Sequence, residues 1–265
     1  MGKRILTAIF ALPALLFAVI AGGEWGTALV VAFASLVGVY EFVQLSKDSN
    51  TRLELIFAPL WGALVAASFL LSSEAAPLAA CAAGGAFFLV ARASVAGLGQ
   101  NTLQSSFRVF AGWLYVPLSL GFAVTVRGYG WEPVIFLLAI VMVSDSAAYF
   151  TGITLGRHRL APSISPKKSI EGSVGGFVGA VAAGYFLPEI LKLPHGPLAS
   201  MGIAALINVA AQVGDLGESA LKRGAGIKDS GTIFPGHGGM LDRVDSFIPT
   251  FPIYAFILTL IGAKP

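Results

Sequence analysis

Apolar positions in this chain come in long unbroken blocks, separated by short polar stretches, rather than in the alternation of a half-buried strand or the stripe of a soluble amphipathic helix. The blocks fall at roughly 5–23, 25–45, 53–72, 76–92, 106–126, 132–153, 171–191, 197–217 and 244–262, and about 20 apolar residues cross a ~30 Å hydrocarbon core as a helix. The pattern predicts an all-α, polytopic integral membrane protein with about nine transmembrane helices. Arg92 and the polar stretch from Gly99 to Ser106 blur the junction between the fourth and fifth blocks. Lys3 and Arg4 precede the first block and small residues, Ala21-Gly22-Gly23, close it, as in a signal peptide. Its apolar run is long for a signal core, and Pro13 is tolerable within a membrane helix, so a first transmembrane helix is the better reading.

Composition agrees with the pattern. The 265 residues are 56% hydrophobic and 12% charged, against roughly a quarter charged in ordinary soluble domains, and the mean hydropathy is +0.81. The one cysteine, Cys81, lies in an apolar run and reads as a packing residue, so an internal disulfide and a thiol metal cluster are both excluded.

The net charge of +3 matters less than its placement. With nine spans and a cytoplasmic N-terminus, fourteen of the 17 Lys and Arg residues fall on the cytoplasmic side, and only Arg127, Lys192 and Lys264 fall on the other. The positive-inside rule favours that topology, which puts the two large polar loops on the cytoplasmic face. The chain reads as one membrane domain, 1–265. Residues 1–130 carry few ionisable groups inside their spans, with Glu41 and Arg108 near span ends, and read as scaffold or oligomer-contact helices. Residues 131–265 read as catalytic helices with cytoplasmic loops at 154–170 and 218–243. No internal repeat suggests the inverted halves of many transporters.

Charge at membrane depth marks function by default. Asp145 lies one helical turn before Tyr149; Asp215, Glu218, Ser219 and Lys222 share a stripe of the eighth span; Asp242 and Asp245 share a face if the ninth span begins near Leu241. Three helix ends thereby bring carboxylates toward one surface. The plainer alternative is a salt-bridge network with Lys222, Arg223, Lys228 and Arg243. Hard oxygen ligands together with substrate phosphates suit magnesium, and no Cys or His cluster points to zinc.

The segment from Ser219 to Asp245 is the one long polar stretch in the second half of the chain. Within it, Phe234-Pro235-Gly236-His237-Gly238-Gly239-Met240 offers backbone amides that an anion can approach, although a tight connector would use the same glycines. The loop after the sixth span has a second basic cluster, in which Ser165-Pro166-Lys167-Lys168 precedes a capping-box-like Ser169 and a new helix. That arrangement points to an anion site at a helix N-terminus, and two phosphate-directed clusters suggest a polyphosphate.

The run Ser219-x-Leu221-Lys222-Arg223-x4-Lys228-Asp229-x-Gly231-x2-Phe234-Pro235-x-His237-Gly238-Gly239-Met240-x-Asp242-Arg243-Val244-Asp245 resembles, at every specified position, the signature of the phosphatidate cytidylyltransferase family. Asp145 to Tyr149 and Ser165 to Gly172 are similar to a second block of that family, with Ser169 in place of the usual threonine. The resemblance is specific over 145–245 and general elsewhere.

It implies a bacterial inner-membrane enzyme in which CTP and phosphatidic acid give CDP-diacylglycerol and pyrophosphate. Asp215 and Asp242 would be the leading metal ligands, with Asp245 and Asp145 supporting, in a centre holding Mg2+ and a second metal or a monovalent cation such as K+. Lys167, Lys168, Lys222, Arg223, Lys228 and Arg243 would hold phosphates. Ser219 would add a ligand oxygen or hydrogen bond, Ser165 a contact to CTP, and Gly238, Gly239 and His237 would belong to the nucleotide cradle. The membrane and the two substrates are the expected partners, with no nucleic acid; small residues in the early spans allow a homodimer. A CTP-dependent polyprenol or phytol kinase would use similar contacts but transfer the γ-phosphoryl group. An ion-coupled transporter would explain Asp145 and Asp215 but does not need lysines beside Gly238-Gly239.

Overall fold

The computed structural model describes residues 12–46, 51–71, 73–193, 195–231, 233 and 238–263. The protein is an all-α polytopic membrane protein whose described strands form one short hairpin. It divides into two compact units, one of residues 1–125 with 229–244, the other of residues 126–228 with 245–265.

In the first unit, residues 12–20 are helical (α1). They are followed by α2 (Gly23–Gln44), α3 (Arg52–Ala67) with a 3-10 turn at Ser68–Leu70, α4 (Ala76–Ala96) and α5 (Gln100–Trp113). Pro117 has no N–H to donate, and around it the helix widens to a π turn, Leu114–Leu118, before resuming as α6 (Ser119–Gly128). The expected fifth span is therefore part of one continuous helical rod, Gln100–Gly128. Aromatic rings fill the centre. Phe57 stacks on Trp61 at 5.3 Å and meets Trp113 edge-on at 6.1 Å. Each indole N–H has a partner, Trp113 donating to Ala58 O (2.8 Å) and Trp61 to Ala80 O (2.9 Å).

One end of α3, α4 and α5 is pinned by charge. Glu54 is fully buried, accepts from Arg108 Nη2 at 2.6 Å, and lies 3.5 Å from Nε of the buried Arg92. Thr51 caps α3 and also donates to Glu54 Oε1 at 3.1 Å. A buried carboxylate is tolerable only when compensated in this way. After Lys228 the chain returns to this unit, where the one-turn helix α10 (Leu241–Val244) packs on α2.

The second unit holds α7 (Trp131–Leu155), the strands β1 (Arg159–Ala161) and β2 (Ser165–Ser169), α8 (Ile170–Leu191), α9 (Pro197–Gly224) and α11 (Phe247–Leu260). Small residues let α7 and α8 approach closely: a Cβ at Gly172 would come within 2.9 Å of Ala148 O, and one at Gly176 within 3.1 Å of Ser144 O. Close backbone approach through small residues is the usual device where lipid gives no hydrophobic drive. Between these helices runs a buried polar network. Asn208 donates to Ser144, Gln212 donates to Asn208 Oδ1 (2.9 Å) and Ser173 O (3.2 Å), and Ser173 donates to Gln212.

Seven helical segments among the described residues are long and apolar enough to span a membrane: α2, α3 with its 3-10 turn, α4, the α5–α6 rod, α7, α8 and α9. The first expected span is described only over 12–20, and the ninth is a 14-residue helix, α11. The expected continuation of that helix back to Leu241 is also broken. A turn at Asp245 and Ser246 separates α10 from α11, so Asp242 and Asp245 do not lie on one helix.

Candidate active site

In the second unit the loop between α7 and α8 is built by its own acids and hydroxyls. The Glu171 carboxylate accepts from the backbone N–H of Arg157 (3.0 Å) and of His158 (3.2 Å), and pairs with His158 Nδ1 at 2.6 Å. The N-cap expected at Ser169 is present, its Oγ accepting from Gly172 N at 3.1 Å. The residues before it are extended, however. Ser165–Ser169 pairs antiparallel with Arg159–Ala161, which the basic composition of the loop did not foretell. Lys167 is exposed, while Lys168 turns inward and donates to Asp215 on α9.

Asp215 has a second acidic neighbour because Gly214 lets α9 and the start of α11 meet. A Cβ at Gly214 would sit 2.4 Å from Asp245 O and 2.8 Å from Pro249 Cγ. Asp245 is half-buried, and its carboxylate accepts from Ser246 N at 2.7 Å. Burial, then the negative charges of Asp215 and Asp145, push its carboxyl up to about 7, against the opposing pull of Lys168. Asp145, Asp215, Asp245 and Lys168 thus form one electrostatic group.

The other candidates of this unit have separate surroundings. Lys222, expected to hold phosphate, is paired with the buried Glu218 at 2.6 Å. Arg223 donates to Ile164 O (3.3 Å) and Ile227 O (3.1 Å), tying the end of α9 to the hairpin loop. Ser165 is half-buried at the start of β2, Ser219 is half-buried on α9, and Lys228 is exposed.

Asp242, Gly238, Gly239 and Arg243 lie in the first unit. Asp242 Oδ2 accepts from Gly239 N (2.7 Å), Ser230 N (3.1 Å) and Ser230 Oγ (3.0 Å). The next two amides go to a residue that the sequence pattern assigns to scaffold: Glu41 Oε1 accepts from Met240 N and Glu41 Oε2 from Leu241 N, both at 2.9 Å. Ser230 Oγ also lies 2.9 Å from Glu41 Oε2. The glycines make room for these carboxylates. A Cβ would come within 2.3 Å of Glu41 Oε1 at Gly231, within 2.2 Å of Ser230 Oγ at Gly239, and within 2.5 Å of Asp242 Oδ2 at Gly238, where φ is +79°. Two amides expected to cradle a phosphate, those of Gly239 and Met240, are thus directed at the protein's own acids, as is the next one, of Leu241. Arg243 is exposed, and His237 lies outside the described residues.

Among the described residues no three His, Cys, Asp or Glu side chains converge tightly enough to enclose an ion unaided. The donor set nonetheless fits a hard divalent cation, which is commonly held by one or two carboxylates plus substrate phosphates. The charge crowding on Asp245 is the kind that a cation offsets.

Sequence reasoning missed Glu41, Ser230 and the network of Ser144, Ser173, Asn208 and Gln212. Asn208 and Gln212 do carry a signal, two amides four residues apart within an apolar helix.

The model of the cytidylyltransferase family matches residues 2–261. The chain is 34% identical to a phosphatidate cytidylyltransferase of Bacillus subtilis, over 98% of both chains. It is 35% identical to one of Brucella suis, over 98% of this chain and 92% of the relative. Over 158 residues, 56% of this chain and 57% of the relative, it is 37% identical to one of Thermotoga maritima. A likeness that runs almost from end to end takes in the N-terminal helices as well as the signature, and the chain belongs to the cytidylyltransferase family.

Proposed function

We propose that this protein is a phosphatidate cytidylyltransferase, an enzyme that joins CTP to phosphatidic acid and yields CDP-diacylglycerol and pyrophosphate. The observation that carries the reading is the group of Asp145, Asp215 and Asp245 about Lys168, in a chain of this family. Anions and a cation gathered in one place suit a reaction between two phosphates.

An oxygen of the lipid phosphate attacks the α-phosphorus of CTP. The new O–P bond forms as the bond from the α-phosphorus to the oxygen bridging to the β-phosphate breaks, and pyrophosphate leaves with that electron pair. The nucleophile is already an anion, so no base is needed; the barrier is the approach of like charges, which oriented cations lower. Lys168, with Lys167, Arg223, Lys228 and Arg243, supplies positive charge to the phosphates. Lys222 keeps Glu218 neutralised and orders the end of α9. Asp215 and Asp242 would be the leading ligands of a magnesium ion, with Asp145 and Asp245 in support and potassium as a second cation. Bound there, the metal would act as a Lewis acid on the phosphoryl oxygens. Ser219 and Ser165 add hydrogen bonds.

In this reading the N-terminus and both polar loops are cytoplasmic, the enzyme sits in the inner membrane of a bacterium, and two copies pair through the early helices. Lipid enters sideways at headgroup depth, which leaves acyl chains in bilayer and weakly discriminated.

The test is transfer of label from CTP marked at the α or the γ position into phosphatidic acid, using purified protein in detergent with magnesium. Entry of α label with release of pyrophosphate, and loss of both in Asp215→Ala and Asp242→Ala, is the expected result. Entry of γ label would make the protein a kinase, and no transfer with any divalent metal would overturn the reading.

A further inference from the structure

We propose that Glu41 is a positioning residue for the reaction, acting from an N-terminal helix through the signature loop on Asp242. This rests on the reading of Asp242 as a ligand of the reaction's cation.

Glu41 is buried on α2, 4% exposed, in a helix made almost wholly of apolar residues. A carboxylate there is costly unless it is hydrogen-bonded. Its partners all come from one place, the loop that carries Asp242: Met240 N on Oε1, and Leu241 N and Ser230 Oγ on Oε2, each at 2.9 Å. These are charge-assisted bonds to rigid donors, the stronger kind. Two of them fix the backbone immediately before Asp242.

The third has a different consequence. Ser230 Oγ is 2.9 Å from Glu41 Oε2 and 3.0 Å from Asp242 Oδ2. A hydroxyl has one proton to donate, so Ser230 serves one carboxylate at a time and links the orientation of each to the other. Asp242 Oδ2 is held besides by Gly239 N, next to the Met240 amide that Glu41 holds, and by the N–H of Ser230, whose hydroxyl Glu41 shares. Glu41 thus sets the frame in which Asp242 is aimed. The glycines agree: side chains at Gly231 or Gly239 would collide with the Glu41 carboxylate itself, at 2.3 and 2.4 Å.

Glu41→Gln keeps the shape of the side chain but turns one acceptor into a donor facing N–H and O–H groups. Outer partners of metal ligands are typically worth about 10- to 100-fold in metal affinity or activity. We expect Glu41→Gln to melt as the wild type does, to need about 10-fold more Mg2+ for half-maximal rate, and to lose kcat about 10- to 100-fold, with the KM for phosphatidic acid within about threefold. Mn2+ binding, read by electron paramagnetic resonance without substrate, should weaken by a similar factor. In an Asp242→Asn background the same substitution should cause no further loss of residual activity or Mn2+ affinity.

Wild-type Mg2+ dependence and Mn2+ affinity in Glu41→Gln would overturn the proposal, as would a full additional loss in the Asp242→Asn background. Full activity in Asp242→Asn alone would instead remove the reading of Asp242 on which this rests. If Glu41→Gln fails to fold, Ser230→Ala decides, since it cuts the link and leaves both amide bonds of Glu41 in place. Weakened Mn2+ binding supports the proposal and unchanged binding overturns it.

Discussion

The ammonium of Lys168 on β2 is paired with the carboxylate of Asp215 on α9, across 47 positions of sequence. Lys167, its neighbour in the strand, is exposed. The two lysines look equivalent as residues, and their exposure and the Asp215 contact separate them. Lys168→Met should therefore lower kcat/KM for CTP about 10- to 100-fold, a loss of roughly 1.4–2.7 kcal/mol of transition-state stabilisation. Lys167→Met should change it by no more than a few fold. Steady-state rates over a CTP series check both, and equal effects would mean that the Asp215 contact carries no functional weight.

Glycines in this chain differ sharply in what a side chain would meet. At Gly239 a Cβ would stand 2.2 Å from Ser230 Oγ and 2.4 Å from Glu41 Oε2; at Gly202, in α9, nothing lies within 4 Å. Gly239→Ala should abolish most activity while leaving helix content intact, because the collision is confined to the loop. Gly202→Ala should leave activity unchanged and stabilise the protein by about 0.5–1 kcal/mol, since alanine is the better helix former. Circular dichroism, thermal melts in detergent and turnover measured on the same preparations distinguish the two.

Removing Glu54 would leave Arg92 and Arg108 without the carboxylate that joins them. Breaking a buried pair by deleting one partner costs about 3–5 kcal/mol, so Glu54→Ala should melt well below wild type. Turnover per folded molecule should stay near normal if the cluster only clamps α3, α4 and α5. A melting temperature unchanged from wild type would show that water or lipid compensates the arginines.

His195 lies in the connection between α8 and α9, 7% exposed, with Nδ1 2.5 Å from Ser200 Oγ and its ring edge-on to Phe136. Burial depresses its pKa, so the folded state favours the neutral ring. A depressed value means that the unfolded chain binds the proton more readily; stability is full above the unfolded value of about 6.5 and is lost as pH falls below it. Melts from pH 8 to pH 5 should show a drop beginning near 6.5, and His195→Phe should flatten it. A slope unchanged by that substitution would assign the drop to other groups.

Much of the architecture is legible in the residues, because lipid imposes a simple rule on composition. Runs of about 20 apolar residues had to be helices, and α2, α4, α7, α8 and α9 lie where the runs lie. What composition does not encode is register and direction. The loop Arg159–Ser169 reads as an anion site at a helix N-terminus, and nothing in its composition shows that Lys168 rather than Lys167 meets Asp215. Asp242 and Asp245 read as one helical face, whereas the turn at Asp245 and Ser246 separates them. The Gly238-Gly239 stretch was visible as a special backbone, but its purpose was not, since Glu41 is a lone acid near the end of an apolar span, 199 residues from Met240. No local pattern can couple positions so far apart. Asp145 and Asp215 read as acids at helix ends, whereas they lie well inside α7 and α9, and of the three acids only Asp245 stands just outside a helix.

The tie between Glu41 and the amide of Met240 also bears on how the protein is made. A ribosome working at about 5–20 residues per second needs roughly 10–40 s to cover the 199 residues between them. During that interval α2 has emerged while the donors that satisfy its acid do not yet exist. A chain that stops before Met240 lacks both amide donors that hold the Glu41 carboxylate in the folded protein.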